Sequence, residues 1–287
     1  MKNTIVPSYL LFLNLLLMSA NTTTAQQPAQ QQGHFANVNG IRMYYEIHGK
    51  GEPLVLIHGG GSTIGTTFGR VLPLFARTHQ VIAVELQAHG HTSDRNEPET
   101  FEQDADDVAT LLQHLNINKA SLLGFSNGGT TAMQVAIRHP QLVDKLVIAS
   151  GLFRRNGAYP WLWAAMDKAK LENMPKELKE AFLEINPDTA ALQNMHDKDA
   201  NRMRAFKDFD DEDLKNIQAK ATLIVIADQD VVTPEHAVEM YRLVPNARLA
   251  IFPGTHGAYL GEITTLKGNS KLYEPAVATI EEFLQQK

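Results

Sequence analysis

The sequence predicts an α/β fold, a mostly parallel twisted sheet of about eight strands flanked by helices, on the evidence of two patterns. Short, nearly unbroken apolar runs recur at Leu54–Ile57, Val81–Val84, Ala120–Leu123, Leu146–Ala149, Leu223–Ile226 and Leu249–Phe252. Runs like these suit strands covered on both faces. Helical spacing fills the intervals: Val108, Leu111, Leu112 and Leu115 fall at i, i+3, i+4 and i+7, and Met133, Ala136 and Ile137 repeat the spacing before Pro140. Strands alternating with helices imply right-handed crossovers and a parallel sheet.

The chain opens differently. Lys2, an apolar run from Tyr9 to Met18 and the small residues Thr23, Thr24 and Ala25 have the layout of a secretory signal peptide over residues 1–25, cleaved after Ala25. The alternative is an uncleaved anchor, but the run is shorter than the roughly 20 residues a bilayer crossing needs. The protein is therefore expected to be secreted or periplasmic, with no stable membrane span. Residues 26–33, glutamine-rich with nothing to bury, read as a disordered tether, and folded structure is expected from His34. Ile41–His48 then suits an antiparallel strand, which a turn over Gly49–Glu52 would fold back as an edge hairpin.

The alternation stops between Gly151 and Lys220, where helix formers dominate and Pro160, Pro175 and Pro187 punctuate. Residues 151–219 are read as an inserted helical lid, with the core over 34–150 and 220–287. Phe153, Trp161, Trp163, Met166, Phe182, Met195, Met203, Phe206 and Phe209 in the lid are candidates for an apolar acyl pocket, although most are expected simply to pack the lid onto the core.

Composition narrows the function. The chain has 287 residues, 44% hydrophobic and 20% charged, so one elaborated domain can bury a large core. A net charge of −6 with interspersed signs gives no basic stripe, which disfavours nucleic-acid partners. Without cysteine, disulfides, thiolate nucleophiles and Cys-ligated zinc are excluded.

The chemistry lies at strand ends. Gly124-Phe125-Ser126-Asn127-Gly128-Gly129 follows the run Ala120–Leu123 and precedes a helix, the setting of a nucleophile elbow. A serine in a strained turn projects its hydroxyl outward, and hydrogen side chains at Gly124 and Gly128 avoid clashes across that turn. A serine hydroxyl needs a base, and the base needs an orienting carboxylate. Asp228 and Asp230 follow the run Leu223–Ile226, and Asp230 is the preferred acid. His256 follows Leu249–Phe252 and is the candidate base, giving the chain order Ser, Asp, His. His58-Gly59-Gly60-Gly61 after Leu54–Ile57 lets backbone approach a substrate closely, with Gly59 as loop support. The Gly60 and Asn127 N–H groups are the expected oxyanion donors, and His58 is expected to brace its loop. His89-x-His91 with Asp94 invites a metal reading, but two histidines and one acid are weak evidence and the expectation is no metal. No phosphate-cradling loop appears, and no cofactor is implied.

Together these motifs resemble the α/β-hydrolase superfamily of single-domain hydrolases with a helical lid, over nearly all of His34 to Gln286. The matching segments are His58–Gly61, Glu85–Ser93, the elbow, the Asp230 loop and His256; Glu85 and Ala88 depart from the Asp-x-x-Gly-x-Gly common among relatives. The resemblance implies an α/β-hydrolase fold. A serine nucleophile excludes the aspartate-based epoxide hydrolases and haloalkane dehalogenases, leaving a carboxylic ester or lactone hydrolase acting on a small-molecule acyl substrate. The alternatives are a carbon–carbon bond hydrolase, a cofactor-free perhydrolase, or a small-molecule receptor retaining its triad.

Overall fold

The computed structural model describes Met1, residues 33–266 and residues 270–286. Apart from Met1, the expected leader and the tether through Gln32 lie outside these residues. Gly33, assigned to the tether from sequence, is instead the first residue of a strand. Among the described residues, no helix is long and apolar enough to cross a membrane.

Among the described residues, eight strands form one sheet: β1 Gly33–Val38, β2 Ile41–His48, β3 Glu52–Ile57, β4 His79–Val84, β5 Ala120–Phe125, β6 Val143–Ala149, β7 Ala221–Gln229 and β8 Ala247–Thr255. Their spatial order is β1-β2-β4-β3-β5-β6-β7-β8. The pairs β1/β2 and β2/β4 are antiparallel and every other pair is parallel.

The hairpin expected between Ile41–His48 and Leu54–Ile57 does not form, because β4 lies between those two strands. Burial explains it. All four side chains of Leu54–Ile57 are fully buried. At roughly 1.5–3 kcal/mol for each such side chain, exposing one face of this run at a sheet edge would cost several kcal/mol. The hairpin that does form joins β2 to the unforeseen β1 through Asn39-Gly40, with Val38 opposite Ile41. Both loop residues have positive φ, 43° and 88°, as a type I′ turn requires. At the other edge, the run Leu249–Phe252 is not covered on both faces: Ile251 is 45% exposed.

Helices cover both faces. Between β3 and β4 lie α1 (Ile64–Phe68) and α2 (Leu72–Phe75), α3 (Phe101–His114) precedes β5, and α4 (Asn127–Arg138) follows it. Side chains of β3 alternate between two cores. Val55 and Ile57 join Val108, Leu111 and Leu112 of α3 and Met133 of α4. Leu54 and Leu56 join Phe68, Phe75 and the C-terminal helix residues Ile280 and Phe283.

Between β6 and β7 the chain forms α5 (Pro160–Asp167), α6 (Lys176–Ile185), α7 (Thr189–Arg204) and α8 (Asp211–Lys215), with no strand. Helix α9 (Pro234–Leu243) then links β7 to β8, and α10 (Tyr273–Gln285) closes the described chain. Phe182, Leu192 and Met195 of the insertion build a small core of their own with Ala88.

A Cβ on Gly40 meets nothing within 4 Å, so Gly40→Ala tests the turn's backbone alone. We expect it to lower the free energy of unfolding by roughly 1 kcal/mol, measured by urea denaturation. An unchanged midpoint would mean the β1/β2 hairpin does not depend on this conformation.

Candidate active site

Strand β5 ends at the middle of the sheet, and the chain must turn there into α4. The residue at the turn, Ser126, has φ 56° and ψ −121°, a conformation costing a side-chain-bearing residue on the order of 1–3 kcal/mol. Three hydrogen bonds hold it: Ser126 N–H donates to the Ala149 carbonyl at 2.8 Å, and the Gly129 and Thr130 N–H groups donate to the Ser126 carbonyl at 2.9 and 3.1 Å. The turn also needs backbones in contact. A Cβ on Gly124 would lie 2.0 Å from the Gly128 carbonyl oxygen, and one on Gly128 would lie 2.2 Å from that of Ile57.

His256 follows β8 directly, and its Nε2 lies 3.0 Å from Ser126 Oγ. Its Nδ1 lies 2.6 Å from Asp230 Oδ1. A carboxylate only accepts, so Nδ1 carries the proton and the Nε2 lone pair faces the serine hydroxyl. Asp230 also accepts from Ser150 Oγ at 2.6 Å, Val231 N at 2.7 Å and Ala227 N at 3.2 Å. Burial pushes the Asp230 carboxyl up, but the adjacent His256 and these donors outweigh it and hold it below the usual range. Burial pulls the His256 imidazole down, and Asp230 more than reverses this, leaving it raised. The rejected alternative Asp228 accepts the Gly254 N–H at 2.8 Å, tying the loop before His256 to β7.

Two supporting residues have no motif in the sequence. The Ser150 hydroxyl proton goes to Asp230, so the buried Tyr259 hydroxyl, 2.6 Å away, donates to Ser150 Oγ. Ser150 reaches its position with φ 52°, a second strained serine beside the first.

The glycine loop after β3 packs against the elbow: a Cβ on Gly59 would lie 3.3 Å from Ser126 Cβ. His58 lies beneath it, fully buried, donating from Nδ1 to the Gly59 carbonyl at 2.7 Å and accepting Leu86 N–H on Nε2 at 3.0 Å. That pattern requires neutral imidazole, and burial lowers its pKa to about 3. Gly60 and Asn127 both line the cavity beside Ser126. Among the described residues, neither backbone N–H donates to a protein acceptor.

Beside this loop is a buried charge cluster that sequence reasoning did not find. Asp199 of α7 accepts the Gly61 N–H and His89 Nε2–H on Oδ2, the latter at 3.0 Å. Its Oδ1 accepts from Asn127 Nδ2 at 3.3 Å and from Arg202. Arg202 donates to Asp104 at 2.6 Å and lies 3.1 Å from Glu99. His89 donates its other nitrogen to the Gln87 carbonyl at 2.8 Å, so both ring nitrogens carry protons. Burial lowers its pKa, but Asp199 and Glu99 outweigh this and push it up to about 9.

Donor atoms of His89, Glu99 and Asp199 lie within 4.8 Å of one another, the reach of a metal site. Arg202 already supplies the cation there, and His89 has no free lone pair. His91 turns away from His89, its Nδ1 2.9 Å from Glu85 Oε2, while Asp94 accepts from Gln87 and Asn194. The pair His89-x-His91 with Asp94 therefore does not converge.

Ser126 and His256 open into a cavity of about 530 Å³ roofed by the insertion. Of the nine lid candidates, Met166, Met203 and Phe206 line it. Phe153 and Phe209 pack in the main core, Phe182 and Met195 in the insertion's own core, and Trp161 is 56% exposed. Trp163 lies under Arg155, whose guanidinium is 3.9 Å from the ring centre.

Known proteins agree with this architecture. A family model described as alpha/beta hydrolase fold matches residues 52–182. Serine hydrolase BPHL of Homo sapiens is 30% identical over 236 residues, 78% of this chain and 79% of that protein. A 2-hydroxy-6-oxo-6-(2'-aminophenyl)hexa-2,4-dienoic acid hydrolase of Metapseudomonas resinovorans is 29% identical over 136 residues, 46% of this chain and 47% of that one. Among solved structures, the serine hydrolase CarC involved in carbazole degradation superposes with a TM-score of 0.73 at 24% identity, covering 90% of this chain and 100% of that one. The enol-lactonase of Burkholderia xenovorans LB400 gives 0.68 at 20% identity, covering 88% and 100%. At those identities the structures speak for the fold. With a family model over residues 52–182 and a human relative aligned over most of both chains, the chain belongs to the alpha/beta hydrolase family and is an enzyme, a hydrolase of that family.

Proposed function

We propose that this hydrolase cleaves carboxylic esters, lactones included, through an acyl-enzyme on Ser126. The reading rests above all on the line of contacts from Asp230 through His256 to Ser126 Oγ, at 2.6 and 3.0 Å. Ser126 Oγ attacks the acyl carbon as His256 Nε2 takes its proton, and Asp230 stabilises the imidazolium that forms. The Gly60 and Asn127 N–H groups donate to the oxyanion. The alcohol leaves with the proton from His256, and water activated by His256 then releases the acid. The apolar side chains of Met166, Met203 and Phe206 suit a medium-sized acyl group.

The dienoic acid hydrolase relative, whose name describes a different kind of substrate, supports carbon–carbon bond cleavage as a second reading. Product analysis separates the two: an acid and an alcohol from an ester, or two carbon fragments without an alcohol leaving group.

Hydrolysis of p-nitrophenyl acetate and butyrate, with fluorophosphonate labelling, tests the assignment. Ser126→Ala should lose label and on the order of 10⁶-fold in kcat, and Asp230→Asn should lose on the order of 10⁴-fold. Substantial turnover in folded Ser126→Ala would sink the reading, and full activity in Asp230→Asn would move the acid to Asp228.

The pH profile gives an independent check. Only neutral His256 accepts the serine proton, so kcat/KM rises with pH through the His256 pKa. Asp230 raises that pKa, which places the acid limb above the ordinary histidine value of about 6.5. A limb at or below it would contradict the pairing.

We also infer that the enzyme acts after export, on the strength of Lys2, the apolar run Tyr9–Met18 and the small residues before Gln26. Amino-terminal sequencing of the protein from a periplasmic or secreted fraction should begin at Gln26; a chain retaining Met1 would overturn this.

A further inference from the structure

We infer that Asp199 is a positioning residue for the reaction: from the helical insertion, its carboxylate fixes the two backbone segments that receive the oxyanion. The inference rests on the acyl-enzyme reading and extends it to a residue outside the triad. One segment is the glycine loop, where Asp199 Oδ2 takes the N–H of Gly61, the residue after the proposed donor Gly60. The other is the start of α4, where Oδ1 takes the side-chain amide of Asn127, whose own backbone N–H is the second proposed donor.

The two segments are in contact at this point. A Cβ on Gly60 would lie 2.5 Å from Asn127 Nδ2 and 3.3 Å from Asp199 Oδ1. One carboxylate therefore sets their spacing, and through Gly61 N–H it holds the peptide plane that adjoins, across a single Cα, the plane carrying the Gly60 N–H. Asp199 also lines the cavity, so its contacts belong to the wall that faces substrate.

A negative charge here would oppose a developing oxyanion unless it were compensated. Arg202 and doubly protonated His89 supply that compensation, each bonded directly to Asp199. Asp104 in turn accepts from Arg202, so the cations Arg202 and His89 face the acids Asp199, Asp104 and Glu99 in a buried cluster. Burial raises the carboxyl of Glu99, the third acid, while the Arg202 guanidinium 3.1 Å away pulls it back. The arrangement retains a carboxylate's strong acceptors while keeping its field away from the reacting carbonyl.

A purely structural tie between insertion and core would alter stability and the amount of folded enzyme. A positioning role alters the transition state. We would measure kcat and KM for p-nitrophenyl butyrate, the inhibition constant of a trifluoromethyl ketone and the melting temperature for wild type, Asp199→Ala and Asp199→Asn. The ketone adds Ser126 and presents an oxyanion to the hole, so its affinity reports that geometry. In Asp199→Ala we expect kcat to fall about 10- to 100-fold with KM within about threefold, and ketone affinity to fall in parallel. Asp199→Asn preserves shape and guards against loss of folding in the alanine variant. Its amide cannot accept on both sides, so it should lose kcat and ketone affinity together.

Wild-type kcat and ketone affinity in either folded variant would overturn the inference, as would a loss confined to KM or explained by the folded fraction. Absence of fluorophosphonate labelling in wild type would overturn it together with the acyl-enzyme reading. Normal wild-type labelling with unaffected Asp199 variants would overturn this inference alone.

Discussion

Helix α4 begins so close to strands β3 and β5 that three backbones touch without intervening side chains. A Cβ on Gly124 or Gly128 would sit between 2.0 and 2.4 Å from carbonyl oxygens of the neighbouring segment. This approach keeps the left-handed serine turn in place, because relaxing Ser126 would require α4 to move away from the sheet. The rest of the site inherits its positions from it. The glycine loop lies against Ser126 Cβ, β8 delivers His256 to the same edge, and β7 delivers Asp230 between Ser150 and Ala227. Strain at Ser126 and Ser150 is carried by the parallel sheet beneath, whose central strands β3, β5 and β6 are buried from their third residue onward.

Two buried charge systems meet at this edge and differ in purpose. Around Asp230, donors outnumber cations: three N–H groups and a hydroxyl sustain a carboxylate whose only cationic neighbour among the described residues is the histidine it orients. That leaves net attraction for an imidazolium, which forms only when His256 takes a proton. Around Asp199 the permanent cation Arg202 and His89 compensate the charge before any substrate arrives. The first system responds to the proton transfer and the second stays fixed through it.

The sequence was most informative where a motif has a local steric cause. The elbow glycines, the serine between them and the order of acid and base follow from chain-local patterns, and the structure brings Ser126, His256 and Asp230 together. Strand order was less accessible, because whether Leu54–Ile57 pairs with Ile41–His48 depends on β4, supplied some twenty residues later. Asn39-Gly40 did carry a hairpin signal, but the alternation it joins is weak on its β1 side, where Phe35 is 42% exposed. The Asp199 cluster left no trace because Asp199 and Arg202, three apart on α7, look like any solvent-facing ion pair until Glu99 and Asp104 approach from the core. Ser150 and Tyr259 act through a chain of hydroxyl contacts to Asp230 that no spacing rule anticipates.

Insertions that cover the pockets of such enzymes invite treatment as exchangeable cassettes, to be grafted between scaffolds for new substrate scope. Here the graft boundary does not coincide with the covalent one. Arg202 travels with the insertion, while Glu99 and Asp104 remain in the scaffold and Asn127 belongs to the elbow helix. A donor insertion lacking the arginine would strand acidic groups in the recipient's interior, and a recipient lacking the acids would strand the arginine. The unit of inheritance is therefore the insertion together with the β4–α3 loop and the first turn of α3, and recombination along the family should respect that join.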